Sequence, residues 1–227
     1  MAETFFKTAL KQQDELWPLI IQFNLQPVTY IHKNKISIFL KEPLFQTIAQ
    51  NQRGKKHLSN IILSALKLQN SFDFDFSAKE KRFALLDGET LFKLTFYTGA
   101  ALSASLISKI IERKALLNLK KAIGEDMYRF ALKKAPFLIK QSHHFGLEQW
   151  ETEDFKSQLF ERGLKCFSAI FMNVPESTTK RIALKFPTDF TPNFTLSFSM
   201  AEQKEAFQIL FKILTSEVQG PWQKYII

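Results

Sequence analysis

The stretch that decides the fold runs from Phe92 to Ile111 and reads FKLTFYTGAALSASLISKII. Its fifteen residues Leu94–Ser108 are uncharged and lie between Lys93 and Lys109. A membrane span, a core helix and an exposed surface are the competing readings. A hydrocarbon core of about 30 Å needs roughly 20 apolar residues. Fifteen helical residues rise only about 22 Å, and five of these are Ser or Thr: Thr95, Thr98, Ser103, Ser105 and Ser108. At helical spacing Phe92, Phe96, Gly99, Ser103, Leu106 and Ile110 share one face, while Leu94, Ala101, Leu102 and Ser105 fall on others. A helix apolar nearly all round is one surrounded by protein. The small residues Gly99, Ala100, Ala101, Ser103, Ala104 and Ser105 keep its middle thin, so neighbouring backbones can approach. The stretch is therefore predicted to be a buried central helix reaching about Arg113, with Phe92, Phe96, Gly99, Ser103 and Leu106 in the structural core.

Working outward, composition narrows the class. A chain of 227 residues with 45% hydrophobic content can bury a substantial core. Seven Gly and eight Pro are too few for a β-sandwich or a disordered chain. Cys166 is the single cysteine, so neither an internal disulfide nor a thiolate cluster is possible, in keeping with a reducing compartment. The start MAETFFKTALKQQDE has Glu3, Lys7 and Lys11 and no apolar h-region, so no signal peptide is expected. A formal charge of +9 raises a nucleic-acid reading. Only six of the 31 basic residues are Arg, the side chain favoured at phosphates and base edges. Phe and Lys codons are A/T-rich, so the 24 Phe and the Lys excess also fit an A/T-rich genome.

Elsewhere the pattern is mainly helical. Thr4 to Trp17 reads as a short helix that Pro18 ends or kinks. Ile36, Ile38 and Leu40 alternate and suit a short strand. Helices are predicted from Pro43 and over Lys56–Gln69, followed by a connector, NSFDFDFSAKEKRF, over Asn70–Phe83. Asp87 offers an N-cap to the central helix. A further helix from Lys114 ends near Gly124, and DMYRFALKKAPFLIK is bent or closed by Pro136. Helices over Asp154–Met172 and Ala201–Val218 flank a short helix or strand at Glu176–Phe186 and a Pro-rich loop or strand. The fold class is mainly α: a compact multi-helix domain around a buried small-residue-rich helix, with at most short β segments. It is read as a single domain, 1–227, allowing an N-terminal lobe at 1–80 packed on a helical body at 87–227.

Chemistry-bearing patterns fail on spacing. His32, His57, His143 and His144 form no HExxH, and adjacent His143 and His144 point about 100° apart on a helix. His144 with Glu148 and Glu151 is the nearest approach to a metal set. Gly54-Lys55 resembles the tail of a phosphate loop, but Ala49 stands where Gly is needed and Lys56 where Ser or Thr is needed. No nucleophile elbow is present, and Cys166 reads as a small core residue. No metal, cofactor or catalytic residue is assigned. The basic clusters RGKK at 53–56 and KEKR at 79–82 lie at element junctions and could meet an acidic protein partner. Arg53, Lys55, Lys56, Lys79, Lys81 and Arg82 are the interface candidates, chosen on charge alone.

Four stretches in order then resemble a known family. They are FNLQPVTYIH (Phe23–His32), LFKLTFYTGAALSASLISKII (Leu91–Ile111), LKKAIGEDMYRFALKKAPFLI (Leu119–Ile139) and FERGLKCFSAIFMNVPESTTKRIALKFP (Phe160–Pro187). Together they are similar to the SctK (YscK-like) component of bacterial type III secretion systems. The chain is Phe- and Lys-rich where relatives often carry Leu and Arg, and KEKR has no counterpart in the family pattern. The resemblance implies a non-catalytic adaptor of the cytoplasmic sorting platform, peripheral to the inner membrane. It would link the inner-membrane ring protein SctD to the SctQ pods, and through SctL to the SctN ATPase. A basic helical nucleic-acid-binding protein remains the alternative from charge. An enzyme using His143, His144 and nearby acids is the third reading.

Overall fold

A computed structural model describes residues 16–139, 142, 144–145, 149–150, 154–218, 220 and 226. In chain order the helices are α1 (16–25), α2 (Lys33–Ile36), α3 (Glu42–Ile48), α4 (Gln52–Ala65) and α5 (Lys79–Arg82). These are followed by α6 (Gly88–Leu102), α7 (Ala104–Ser108), α8 (Arg113–Ile123), α9 (Glu125–Lys133) and α10 (Ala135–Leu138). The last are α11 (Phe155–Ala169), α12 (Glu176–Leu184) and α13 (Met200–Glu217). There is no strand among the described residues, so the fold is mainly α. The alternation at Ile36, Ile38 and Leu40 forms no strand: α2 ends at Ile36 and the chain turns beyond it. Most of the Thr4–Trp17 prediction lies outside the described residues; α1 continues through Pro18 to residue 25.

The chain divides into two compact units. The first holds the described residues up to Gly88 together with Val174–Asp189, 220 and 226; the second holds Glu89–Asn173 and Phe190–Val218. Thus α12, which the sequence places with the C-terminal body, packs with the N-terminal unit. One apolar cluster of the first unit gathers Ile36, Phe45, Leu58, Ile62 and Leu184.

Cap chemistry sets several boundaries. Asn51 and Asp154 accept from Gly54 N and Ser157 N at the starts of α4 and α11. Ser199 and Glu202 form a capping box at the start of α13. Gly124 ends α8 at φ 85°, as expected of a glycine there, and Pro136 sits in the first turn of α10.

In the second unit α6 crosses α11 with backbone against backbone. A Cβ on Gly99 would fall inside the carbonyl oxygen of Leu159, and a Cβ on Gly163 inside that of Thr95. Only hydrogen fits at either position. Phe92 and Phe96 flank the crossing, half-buried, with centroids 4.2 and 5.2 Å from that of Phe160. Gly99, Ser103 and Leu106 are buried.

One expectation is corrected. The central segment is not one helix to Arg113: it breaks at Ser103, resumes as α7, and ends at Ser108. Ser103 N–H is shared between the carbonyls of Gly99 (3.1 Å) and Ala100 (3.2 Å), while its hydroxyl accepts from Arg162 Nη1 at 2.5 Å. The break lies where that hydroxyl meets a buried guanidinium.

Candidate functional site

Inside the first unit the first of the four family-like stretches meets the end of the last, from Val174 to Pro187. α12 carries Thr178 and Arg181, with Lys185 just beyond its end; at spacings of three and four they share one side. Such a polar stripe would ordinarily face water, yet Arg181 is 0% and Lys185 3% exposed. Arg181 donates to the carbonyls of Asn24 (3.3 Å), Leu68 (3.4 Å), Ser71 (2.8 Å) and Ser177 (3.0 Å). Asn24 lies in the last turn of α1, and the last carbonyls of a helix lack intrahelical partners and carry partial negative charge. The guanidinium is thus held by helix-end and turn carbonyls.

Lys185 Nζ donates to Ala84 O (2.7 Å) and Leu86 O (2.6 Å), and lies 5.1 and 4.9 Å from the ring centroids of Phe23 and Tyr30. Burial pulls its pKa from 10.5 down to about 7, against the pull of the Asp87 carboxylate. Lys35 Nζ reaches Ala183 O at 2.6 Å, and His32 N–H donates to Leu184 O at 2.8 Å. Burial lowers the pKa of Lys35 as well. Asp73 accepts from Lys81 Nζ (2.6 Å) and Thr178 Oγ1 (2.7 Å), while its backbone pairs with the Asn24 side chain in both directions. This network is structural: its groups are spent on each other.

The interface candidates therefore separate. Lys81 is committed to Asp73 and sits 5.1 Å from the Phe76 ring centroid. Arg82 donates from Nε to Phe76 O (3.0 Å) and from Nη2 to Ser77 O (3.4 Å). The KEKR run is itself α5 rather than part of a connector, and of its basic residues Lys79 is the exposed one. Arg53, Lys55 and Lys56 are all exposed in the first two turns of α4. No acidic residue occurs between Glu42 and Asp73, and none stands in the first turn of α4. Cations at a helix start oppose the helix dipole, so stability does not explain their placement.

The histidines have separate settings. His32 Nδ1 accepts from Asn34 N–H at the start of α2, and burial lowers its pKa. His57 is exposed on α4, and His144 lies 3.7 Å from Glu205. His143, Glu148 and Glu151 lie outside the described residues. Among the described residues no three His, Cys, Asp or Glu side chains are placed to hold a metal ion. Cys166 is fully buried, and burial pushes its thiol pKa up, away from the thiolate.

Sequence reasoning missed Gly163, the partner of Gly99, and the four buried cations Lys35, Arg162, Arg181 and Lys185. RGLKCFSA at 162–169 places a small residue amid bulky ones and was a usable signal for Gly163. No local signal separates Arg181 from a surface arginine.

This is a helical protein whose described residues include no helix long and apolar enough to cross a membrane. Its first unit joins an N-terminal signature to a late basic run, and its second is built on a thin-waisted helix. A family model described as YOP proteins translocation protein K (YscK) matches residues 19–220, and the chain belongs to that family. It is accordingly a protein of type III secretion translocation, in a family of secretion-apparatus components. No curated protein and no solved structure matches the chain significantly.

Proposed function

We propose that the protein is a non-enzymatic adaptor of the cytoplasmic sorting platform, stationed beside the inner membrane. In this reading it joins an SctD-type ring protein to SctQ-type pods, and through SctL to the SctN ATPase. Membership of the YscK family carries the proposal. The exposed, acid-free start of α4 supports it: Arg53, Lys55 and Lys56 form a docking face for an acidic protein surface, with Lys79 as a further exposed candidate. Charge gathered on one surface speeds encounter and selects partners more than it adds affinity.

The test is co-purification of the full chain with the SctQ-type and SctD-type proteins of the same secretion system. Capture of both at low salt is expected, weakened by Arg53→Glu with Lys56→Glu. Repeated failure to capture either would falsify the adaptor reading. A salt-sensitive affinity for duplex DNA, with no protein capture, would favour the nucleic-acid alternative.

A further inference from the structure

Between Lys93 and Glu125 the chain holds five basic residues, Lys109, Arg113, Lys114, Lys120 and Lys121, against one acid, Glu112. Lys120 is engaged internally: it bonds Glu125 at 3.4 Å and lies 4.5 Å from the Tyr128 ring centroid. The other four are exposed, and no carboxylate among the described residues pairs with them. On α8, Lys114, Leu117 and Lys121 recur at spacings of three and four and so share one face, turned to solvent; Leu119 and Ile123 face the other way and are buried. Beside that face stand two aliphatic side chains in the open: Leu117 is 58% exposed, and Ile111, in the non-helical tip before α8, is 92% exposed.

We infer that this tip and the outer face of α8 form a second docking surface, in the second unit, for an acidic protein surface with a shallow apolar hollow. The inference rests on the adaptor reading above, since an adaptor needs more than one docking face. Charge complementarity fixes the sign of the partner. A small apolar centre ringed by charge is the anatomy of a protein–protein contact, where a few anchors carry the affinity. A bilayer fits less well. Interfacial helices bury a continuous apolar face in lipid, whereas the apolar side of α8 is already packed in its own unit and only Ile111 and Leu117 remain. Single-stranded nucleic acid fits less well too, because the face carries no ring for a base to stack on.

The experiment compares the full-length wild-type chain with Lys114→Glu/Lys121→Glu and with Ile111→Ser. Each is titrated with the purified SctQ-type protein and with the cytoplasmic part of the SctD-type protein. Phosphatidylglycerol vesicles and a short DNA duplex serve as parallel probes. All substituted side chains are exposed, so melting temperatures should match wild type. Each variant is expected to lose about tenfold or more in affinity for one of the two proteins, with the wild-type affinity for that protein falling as salt rises. Wild-type binding that both variants retain unchanged overturns the α8 surface and leaves the adaptor reading standing. Binding of neither protein by wild type overturns the adaptor reading and this inference with it. Loss of vesicle or duplex binding in the variants, with both proteins still bound as by wild type, overturns it in favour of that other surface.

Discussion

Where α6 crosses α11, backbone touches backbone and two glycines make room. Around α12, by contrast, the space between segments is filled by long cationic side chains that end on carbonyl oxygens. The crossing depends on absent atoms, so any added volume disrupts it. The cation network depends on donors reaching acceptors, so any lost donor leaves buried oxygens without a partner. Burying a charge is costly unless it is hydrogen-bonded, and here the compensation comes chiefly from carbonyls rather than a carboxylate for each cation. The difference teaches that one chain reaches stability by shape at one place and by polar satisfaction at another.

Substitutions can break either half of that comparison. Arg181→Met keeps most of the side-chain volume but removes every side-chain donor from four carbonyls, of which those of Asn24 and Leu68 are buried. A loss of about 3 kcal/mol or more is expected in denaturant unfolding; an unchanged midpoint would show that the network contributes nothing. Gly99→Leu should cost about 1–3 kcal/mol or more, because the helices must move apart. A melt equal to wild type would contradict the backbone contact.

The pH dependence sharpens the comparison further. Burial places the folded-state pKa of Lys185 near 7, against 10.5 when exposed. Below pH 7 the amine is charged in both folded and unfolded chains, and its desolvation cost is carried in full. Between pH 7 and 10.5 the unfolded chain holds the proton and the folded chain does not. Stability therefore rises with pH over that window, by up to about 1.4 kcal/mol per unit. The difference in stability between wild type and Lys185→Met, followed from pH 7 to 10, isolates this contribution. A flat difference would mean that the Ala84 and Leu86 carbonyls and the two rings keep the ammonium charged.

The smallest effect concerns cations outside the core. Arg53→Glu puts an acid where the α4 dipole favours one and should raise stability by about 0.3–1 kcal/mol. Under the adaptor reading the same change weakens partner capture. A variant that is less stable than wild type would remove the reason for reading that cluster as a docking face.

Much of this was legible in sequence. The thin waist at Gly99–Ser105 announced a close helix crossing, and Gly124 and Pro136 marked helix ends. Those signals are local: a missing Cβ or a fixed φ acts within a turn of its own position. The candidates Arg53, Lys55 and Lys56 stood out in the sequence as a basic run, and all three are exposed in the first two turns of α4.

What the sequence alone determined is the class, the helix ends at Gly124 and Pro136 and the small-residue seam, all set by sterics and hydrogen bonding over a few residues. Tertiary structure alone decided that Lys81 and Arg82 turn inward while Arg53 and Lys55 stay out. It also decided that α12 belongs with the first unit, and that its charged stripe is buried. The reason is physical. A cation's environment depends on which carbonyls and carboxylates other segments bring to it, and Arg181 finds Asn24 at 157 and Leu68 at 113 positions away in the chain.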